Sequence, residues 1–124
     1  MMPEKKQVLI VDDEPNLRKI LSAQLSRDGY DVLLAEDGEQ GLQFLREHHI
    51  DLIVTDLKMP KVDGMALYRA IAAASPVLAR RVIFVTGDVA GADAERFLEE
   101  SGCRWLAKPF RLGDLLRSVR DALA

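Results

Sequence analysis

Five polar side chains stand directly after short apolar runs in this sequence. Asp12 and Asp13 follow VLIV, Asp56 follows LIVT, Thr86 follows VIFV, and Lys108 follows WLA. Continuous apolar runs of this length are typical of strands that are buried on both faces. If the strands are parallel, their carboxyl ends meet at one edge of a sheet, and the five side chains lie together there.

The chemistry of such a group is limited by its charge. Asp12, Asp13 and Asp56 within a few ångströms would repel one another and raise the pKa of at least one carboxyl group. Mg²⁺ (or Mn²⁺) would remove this penalty, since such ions prefer oxygen ligands. Lys108 adds a cation and Thr86 a hydroxyl donor, which together suit phosphoryl oxygens. A carboxylate in this setting can act as a nucleophile and form an aspartyl-phosphate.

The elements that position these residues can be read from the apolar pattern. Predicted strands alternate with amphipathic helices, of which the last carries the clearest apolar stripe, from Leu112 to Leu123. Five strands and five helices predict an α/β fold, the (βα)5 flavodoxin-like, doubly wound parallel five-stranded sheet with strand order 2-1-3-4-5. The predicted strands cover residues 8–11, 32–35, 52–55, 82–85 and 105–107.

Length and composition restrict the class of protein. A chain of 124 residues with 48% hydrophobic residues predicts a single domain over residues 1–124, of which 1–6 form an N-terminal extension. The net charge of −3 argues against direct nucleic-acid binding. Cys103 is the only cysteine, and no apolar run could span a bilayer. We therefore expect a cytoplasmic domain that does not insert into membranes.

Four segments carry a family resemblance: VLIVDDEP, DLIVTDLKMPKVDGM, VIFVTGD and WLAKPF. In this order and spacing they closely resemble the receiver domain of two-component response regulators, over nearly the whole chain. The resemblance implies a phosphoprotein of a signal-transduction phosphorelay, which catalyses only its own phosphorylation and dephosphorylation. Asp56 would accept a phosphoryl group from a histidine kinase or a histidine phosphotransfer protein.

The resemblance also implies roles for the neighbouring residues. Asp12, Asp13 and Asp56 would hold Mg²⁺ together with the backbone carbonyl of Lys58. Thr86 would donate a hydrogen bond to the phosphoryl group, Lys108 would form an ion pair with it, and the bond before Pro109 would be cis. Phosphorylation would switch the face formed by the fourth helix, the fifth strand and the fifth helix.

Three positions depart from the family pattern or vary within it. Trp105 stands where the family usually has tyrosine, phenylalanine or histidine; it either turns inward on phosphorylation or packs at the surface between the last two helices. We predict that Lys58 and Asp88 pair across the mouth of the site and alter the lifetime of the phosphorylated form. Arg104 replaces an acidic residue, which favours a monomer or a weak phosphorylation-dependent dimer over a charged dimer.

Two other functions are compatible with part of the pattern. A phosphorylation-independent pseudo-receiver would be a binding module, but the complete set of polar residues argues against it. A haloacid-dehalogenase-like phosphatase would carry its nucleophile in a DxD arrangement after the first strand, where this chain has Asp-Asp-Glu. The chain would be a stand-alone regulator, or a receiver from a larger response regulator or hybrid kinase with an effector domain or downstream protein as its output.

Overall fold

Five parallel strands form one sheet in the computed structural model, which describes residues 5–59, 61–87 and 92–124. The sheet has the order β2-β1-β3-β4-β5, and every neighbouring pair is parallel. This confirms the predicted fold class and strand order. Residues 1–4 of the expected N-terminal extension lie outside the described residues. The strands are β1 (Gln7–Val11), β2 (Asp31–Ala35), β3 (Leu52–Asp56), β4 (Val82–Thr86) and β5 (Arg104–Ala107).

Six helices are present in the described part of the chain, one more than predicted. The additional helix, α4, has four residues, which are too few to produce a periodic apolar stripe in the sequence. Ser75 caps it, because its Oγ accepts a hydrogen bond from the Leu78 N–H at 3.2 Å. The predicted fourth and fifth helices correspond to α5 and α6. The helices are α1 (Pro15–Arg27), α2 (Gly38–Glu47), α3 (Gly64–Ala74), α4 (Pro76–Ala79), α5 (Ala92–Ser101) and α6 (Leu112–Leu123).

The core lies on both faces of the sheet. On one face, Leu9, Ile53 and Phe84 pack against helices α2 to α5. On the other, Val54 and Ile83 pack against α1 and α6. Each fully buried side chain of this size contributes about 1.5–3 kcal/mol to folding. The central strands β1, β3 and β4 therefore hold the polar residues at their carboxyl ends on a rigid base.

All five strands are one residue longer than predicted, and in β3 and β4 the additional residue is one of the polar residues. Asp56 is the last residue of β3, and Thr86 is the last residue of β4. Asp56 is in register with Val85, and Thr86 is in register with Ala107. Both residues therefore belong to the sheet, and strand pairing holds their backbone in place.

Candidate functional site

Three carboxylates meet at the carboxyl end of the sheet. Asp12 and Asp13 follow β1, and Asp56 ends the neighbouring strand β3. Each of the three offers an oxygen atom within 4.8 Å of the other two. Asp12 and Asp56 are buried, whereas Asp13 is exposed. The structure thus brings together the three carboxylates that the sequence predicted to be neighbours, and this set of oxygen donors fits a hard divalent cation such as Mg²⁺ or Mn²⁺.

The side chain of Lys108 crosses the site and pairs with three carboxylates. Its Nζ donates to Asp12 Oδ2 and to Asp56 Oδ2, at 2.9 Å each, and to Glu14 Oε1 at 3.2 Å. The Lys108 backbone N–H donates to the Thr86 carbonyl at 2.8 Å, which continues the β4–β5 pairing past the end of β5. Burial would lower the pKa of Lys108, but hydrogen bonds to Asp12 and Asp56 outweigh it and raise the pKa.

Asp12 is fixed from several sides. Its Oδ1 accepts a hydrogen bond from the Glu14 N–H at 2.9 Å, and its carbonyl oxygen accepts one from Arg18 Nη1 at 2.7 Å. Burial nevertheless raises the pKa of the Asp12 carboxyl group, since the bonds from Glu14 and Lys108 compensate only in part and the charge of Asp56 adds to the shift. The site therefore carries more negative charge than its own cation compensates.

The loop after β3 lies directly on the backbone of Asp56. Asp56 Oδ1 accepts a hydrogen bond from the Lys58 N–H at 3.3 Å. The Gly64 N–H donates to the Leu57 carbonyl at 2.9 Å. A Cβ atom at Gly64 would lie 2.2 Å from the Asp56 carbonyl oxygen, so only glycine permits this approach. The acidic side chain and the loop beyond it are thus held as one unit.

Thr86 and its neighbours complete this end of the sheet. The Thr86 side chain is buried at the end of β4, next to the strand that carries Asp56. The Lys108-Pro109 peptide bond is cis, as the family resemblance implied. Asp88 lies outside the described residues, so its pairing with Lys58 stays a prediction.

Trp105 lies on β5, which is the edge strand of the sheet next to β4. Trp105 is 44% exposed, and it lines a cleft with Glu95, Leu98 and Glu99 of α5. The other residues of this cleft all belong to α5, so packing of Trp105 between the last two helices stays a prediction. The alternative, an inward turn of the indole, concerns the phosphorylated state and stays a prediction.

Two contacts of the site were not predicted from the sequence. Glu14 contacts Lys108, and Arg18 bonds the Asp12 carbonyl. A third acidic residue directly after two others is a signal that could have indicated Glu14. Arg18 lies one helical turn further along, at the start of α1, and no charge pattern distinguishes it from Lys19 or Arg27.

An apolar cleft of about 480 Å³ opens beside the site. One wall comes from α1 and includes Ile20, which is 55% exposed. The other wall comes from the segment after β5, while Glu14, Gly87 and Lys108 form the end nearest the carboxylates. The residues that form the two apolar walls are Leu17, Ile20, Leu21, Pro109, Phe110 and Leu112.

His48 and His49 lie between the end of α2 and the start of β3, at the amino end of the sheet. His49 Nε2 lies 2.9 Å from Asp51 Oδ1, before the start of β3. None of the helices within residues 5–59, 61–87 and 92–124 is both long and apolar enough to cross a membrane.

Comparison with known proteins identifies the family. The model of the response regulator receiver domain matches residues 8–120. The transcriptional regulatory protein GlrR of Escherichia coli is 34% identical over 123 residues, which cover 99% of this chain and 27% of GlrR. The ycf27 regulator of Porphyridium aerugineum is 35% identical, and 49% of its length is covered. The chain therefore spans between a quarter and a half of these curated relatives.

Solved structures agree with the sequence matches. A CheY-like receiver domain protein from Methanospirillum hungatei superimposes with a TM-score of 0.89 and 27% identity, covering 97% of this chain and 94% of that one. The response regulator TrrA of Thermotoga maritima, solved in complex with Mg(2+)-BeF, has a TM-score of 0.81 and 28% identity, with 95% of this chain and 99% of that one covered. The chain belongs to the response regulator receiver domain family.

Proposed function

We propose that Asp56 accepts a phosphoryl group from a phosphorylated histidine of a partner protein, in a reaction that requires Mg²⁺ or Mn²⁺. The observation that supports this most directly is the position of Asp56. It is buried at the end of β3, paired with Lys108 Nζ at 2.9 Å, and next to the carboxylates of Asp12 and Asp13. The proximity of these groups supports their assignment as nucleophile, cation and metal ligands of one site.

The proposed reaction uses groups that the chain already holds in place. A carboxylate oxygen of Asp56 forms a bond to phosphorus while the bond between phosphorus and the histidine nitrogen breaks. The electron pair of that bond stays with the imidazole ring, which takes up a proton. Lys108 then pairs with a phosphoryl oxygen, and the hydroxyl group of Thr86 donates a hydrogen bond to another.

The metal ion would be held by Asp12, Asp13 and Asp56, with the backbone carbonyl of Lys58 as a further ligand. When bound, the ion would neutralise negative charge on the carboxylates and on the phosphoryl oxygens. The excess of carboxylates over cations at this end of the sheet supports the assignment. The structure of TrrA with Mg(2+)-BeF supports it independently, because that protein shares the fold and the family.

The apolar cleft between α1 and the segment 109–112 is the proposed contact surface for the histidine kinase or phosphotransfer protein. It opens next to Lys108, and its exposed Ile20 gives a partner helix apolar surface to bury. Residues of these two walls would determine which kinase is accepted.

The proposed output surface is the face formed by α5, β5 and α6, where Trp105 would report or transmit the change. The chain covers 27% of GlrR and 49% of the ycf27 relative, so an effector domain or a downstream protein is part of the proposal. A monomer, or a weak dimer that depends on phosphorylation, is proposed for the isolated domain. A cytoplasmic location is proposed on the basis of the unpaired Cys103 thiol.

Intact-mass measurement tests the central assignment. The chain is incubated with Mg²⁺ and acetyl phosphate, and we expect one phosphoryl adduct. Asp56→Asn should abolish the adduct, whereas Asp31→Asn, at the exposed start of β2, should be labelled like the wild type. Equal labelling of Asp56→Asn would refute the role of Asp56. A wild-type chain that is never labelled would favour the pseudo-receiver instead.

A further inference from the structure

Glu14 occupies an unusual place in the site. Its Oε1 lies 3.2 Å from Lys108 Nζ, yet its side chain is 59% exposed, whereas that of Lys108 is only 14% exposed. Asp12 and Asp56 already hold the ammonium group at the shorter distance of 2.9 Å. The side chain of Glu14 is therefore not required to position Lys108. Its contribution to Asp12 comes from its backbone N–H, which a side-chain substitution leaves in place.

The charge of Glu14 is not used by the proposed metal site. Within the described parts of the chain, the carboxylates that could share one ion are those of Asp12, Asp13 and Asp56. A bound divalent cation and the ammonium group of Lys108 would together compensate these three carboxylates, and the exposed negative charge of Glu14 would remain in excess. Glu14 also lines the end of the apolar cleft nearest the site. A phosphoryl donor that approaches along this cleft must pass the Glu14 carboxylate.

We propose that Glu14 determines donor specificity: its carboxylate repels free phosphoryl donors in proportion to their negative charge. This inference rests on the proposed function of Asp56. A histidine-bearing protein can offset the repulsion by burying apolar surface in the cleft, and a small free donor cannot. Glu14 thereby favours phosphorylation by a protein partner over phosphorylation by small metabolites such as acyl phosphates.

The test compares two substitutions that remove the same charge. Glu14→Gln removes the carboxylate next to Lys108. Glu36→Gln removes an exposed carboxylate just after β2, at the same end of the sheet, and serves as the control. Phosphorylation rates are measured by intact mass with acetyl phosphate, a dianion, and with phosphoramidate, which carries less negative charge at neutral pH. The rate of phosphoryl loss from Asp56 is measured in the same samples.

We expect Glu14→Gln to react about fivefold faster with acetyl phosphate and only about twofold faster with phosphoramidate. Glu36→Gln should keep the wild-type rates, and Glu14→Asp, which keeps the charge, should remain close to them. High salt should reduce the difference, because it screens exposed charges. The rate of phosphoryl loss should change less, since the attacking water is neutral.

The possible failures are distinguishable. Glu14→Gln rates equal to or below those of a wild type that is labelled on Asp56 would overturn the role of Glu14 and leave the proposed function intact. The same acceleration in Glu36→Gln would overturn it too, since a general charge effect would then suffice. A wild type that is not labelled on Asp56 would refute the proposed function and this inference with it.

Discussion

Each end of the sheet holds a buried aspartate, but the two ends treat the charge differently. At the amino end, Asp51 Oδ2 accepts a hydrogen bond from the Gln7 N–H at 2.8 Å, and its Oδ1 lies 2.9 Å from His49 Nε2. Burial would raise the pKa of Asp51, but the partners Gln7 and His49 outweigh it and lower the pKa. The hydrogen-bond partners of Asp51 are therefore sufficient to offset the burial of its carboxylate.

At the carboxyl end, the carboxylates of the described residues outnumber the described cations that contact them. Lys108 forms ion pairs with Asp12, Glu14 and Asp56 at the same time, and the pKa of Asp12 is still raised. An aspartate that is fully paired stabilises a fold, whereas a group of aspartates that share one cation makes folding less favourable. This difference in pairing indicates that Asp51 has a structural role and that the carboxyl end of the sheet is suited to binding and chemistry.

The largest effect is expected at Gly64, which tests how rigidly the carboxyl end is built. Gly64→Ala should lower the free energy of unfolding by about 3 kcal/mol, because the added Cβ would meet the Asp56 carbonyl oxygen and the backbone must move. Gly113→Ala in α6 is the control, since nothing lies within 4 Å of its Cβ position. It should be neutral or stabilising by about 0.5 kcal/mol. Urea unfolding measures both; equal effects would show that the packing on Asp56 is loose.

Asp51→Asn tests the amino end of the comparison. The substitution removes the charge from the bonds to Gln7 and His49 and turns one acceptor into a donor. We expect a loss of about 2 kcal/mol in the free energy of unfolding at neutral pH. Chemical denaturation without added metal measures it. An unchanged stability would contradict the structural role of Asp51.

Asp56→Asn should act in the opposite direction. In the presence of a chelator, removing one of the crowded carboxylates should stabilise the chain by about 1 kcal/mol. Mg²⁺ at ten times its dissociation constant should stabilise the wild type by about 1.4 kcal/mol. The variant should gain less from the ion. Asp31→Asn, exposed at the start of β2, should resemble the wild type in both conditions. A destabilised Asp56→Asn would mean that the two ends do not differ in the way described.

The smallest effect concerns acid pH. A folded pKa below the unfolded value means that Asp51 contributes its stability above about pH 3.9 and loses it as the pH falls through the folded pKa. The stability of the wild type should therefore fall more steeply with acid in this range than that of Asp51→Asn. Unfolding curves at several pH values below about 5 measure the difference. If the stability of the wild type and of Asp51→Asn falls equally with pH, the charge of Asp51 contributes nothing to stability through its partners.

Much of the fold could be predicted, because the apolar runs of β1, β3 and β4 have the composition of strands buried on both faces. The residues at which strands and helices end were harder to predict from the sequence. Asp56 and Thr86 belong to their strands, because neighbouring strands extend the pairing to them. The helix α4 was missed, since its formation depends on the Ser75 cap and on packing rather than on periodicity.

The sequence by itself determined which residue types stand at the carboxyl ends of the strands, and hence that Asp12, Asp13 and Asp56 would meet. It did so because strand order and parallel direction follow from the βα pattern. Only the tertiary structure decided how the charges are shared. Lys108 reaches Asp12 across 96 residues of sequence, and Glu14 joins the same ammonium group. Such pairing depends on side-chain positions and burial, which arise only when distant strands and loops have packed together.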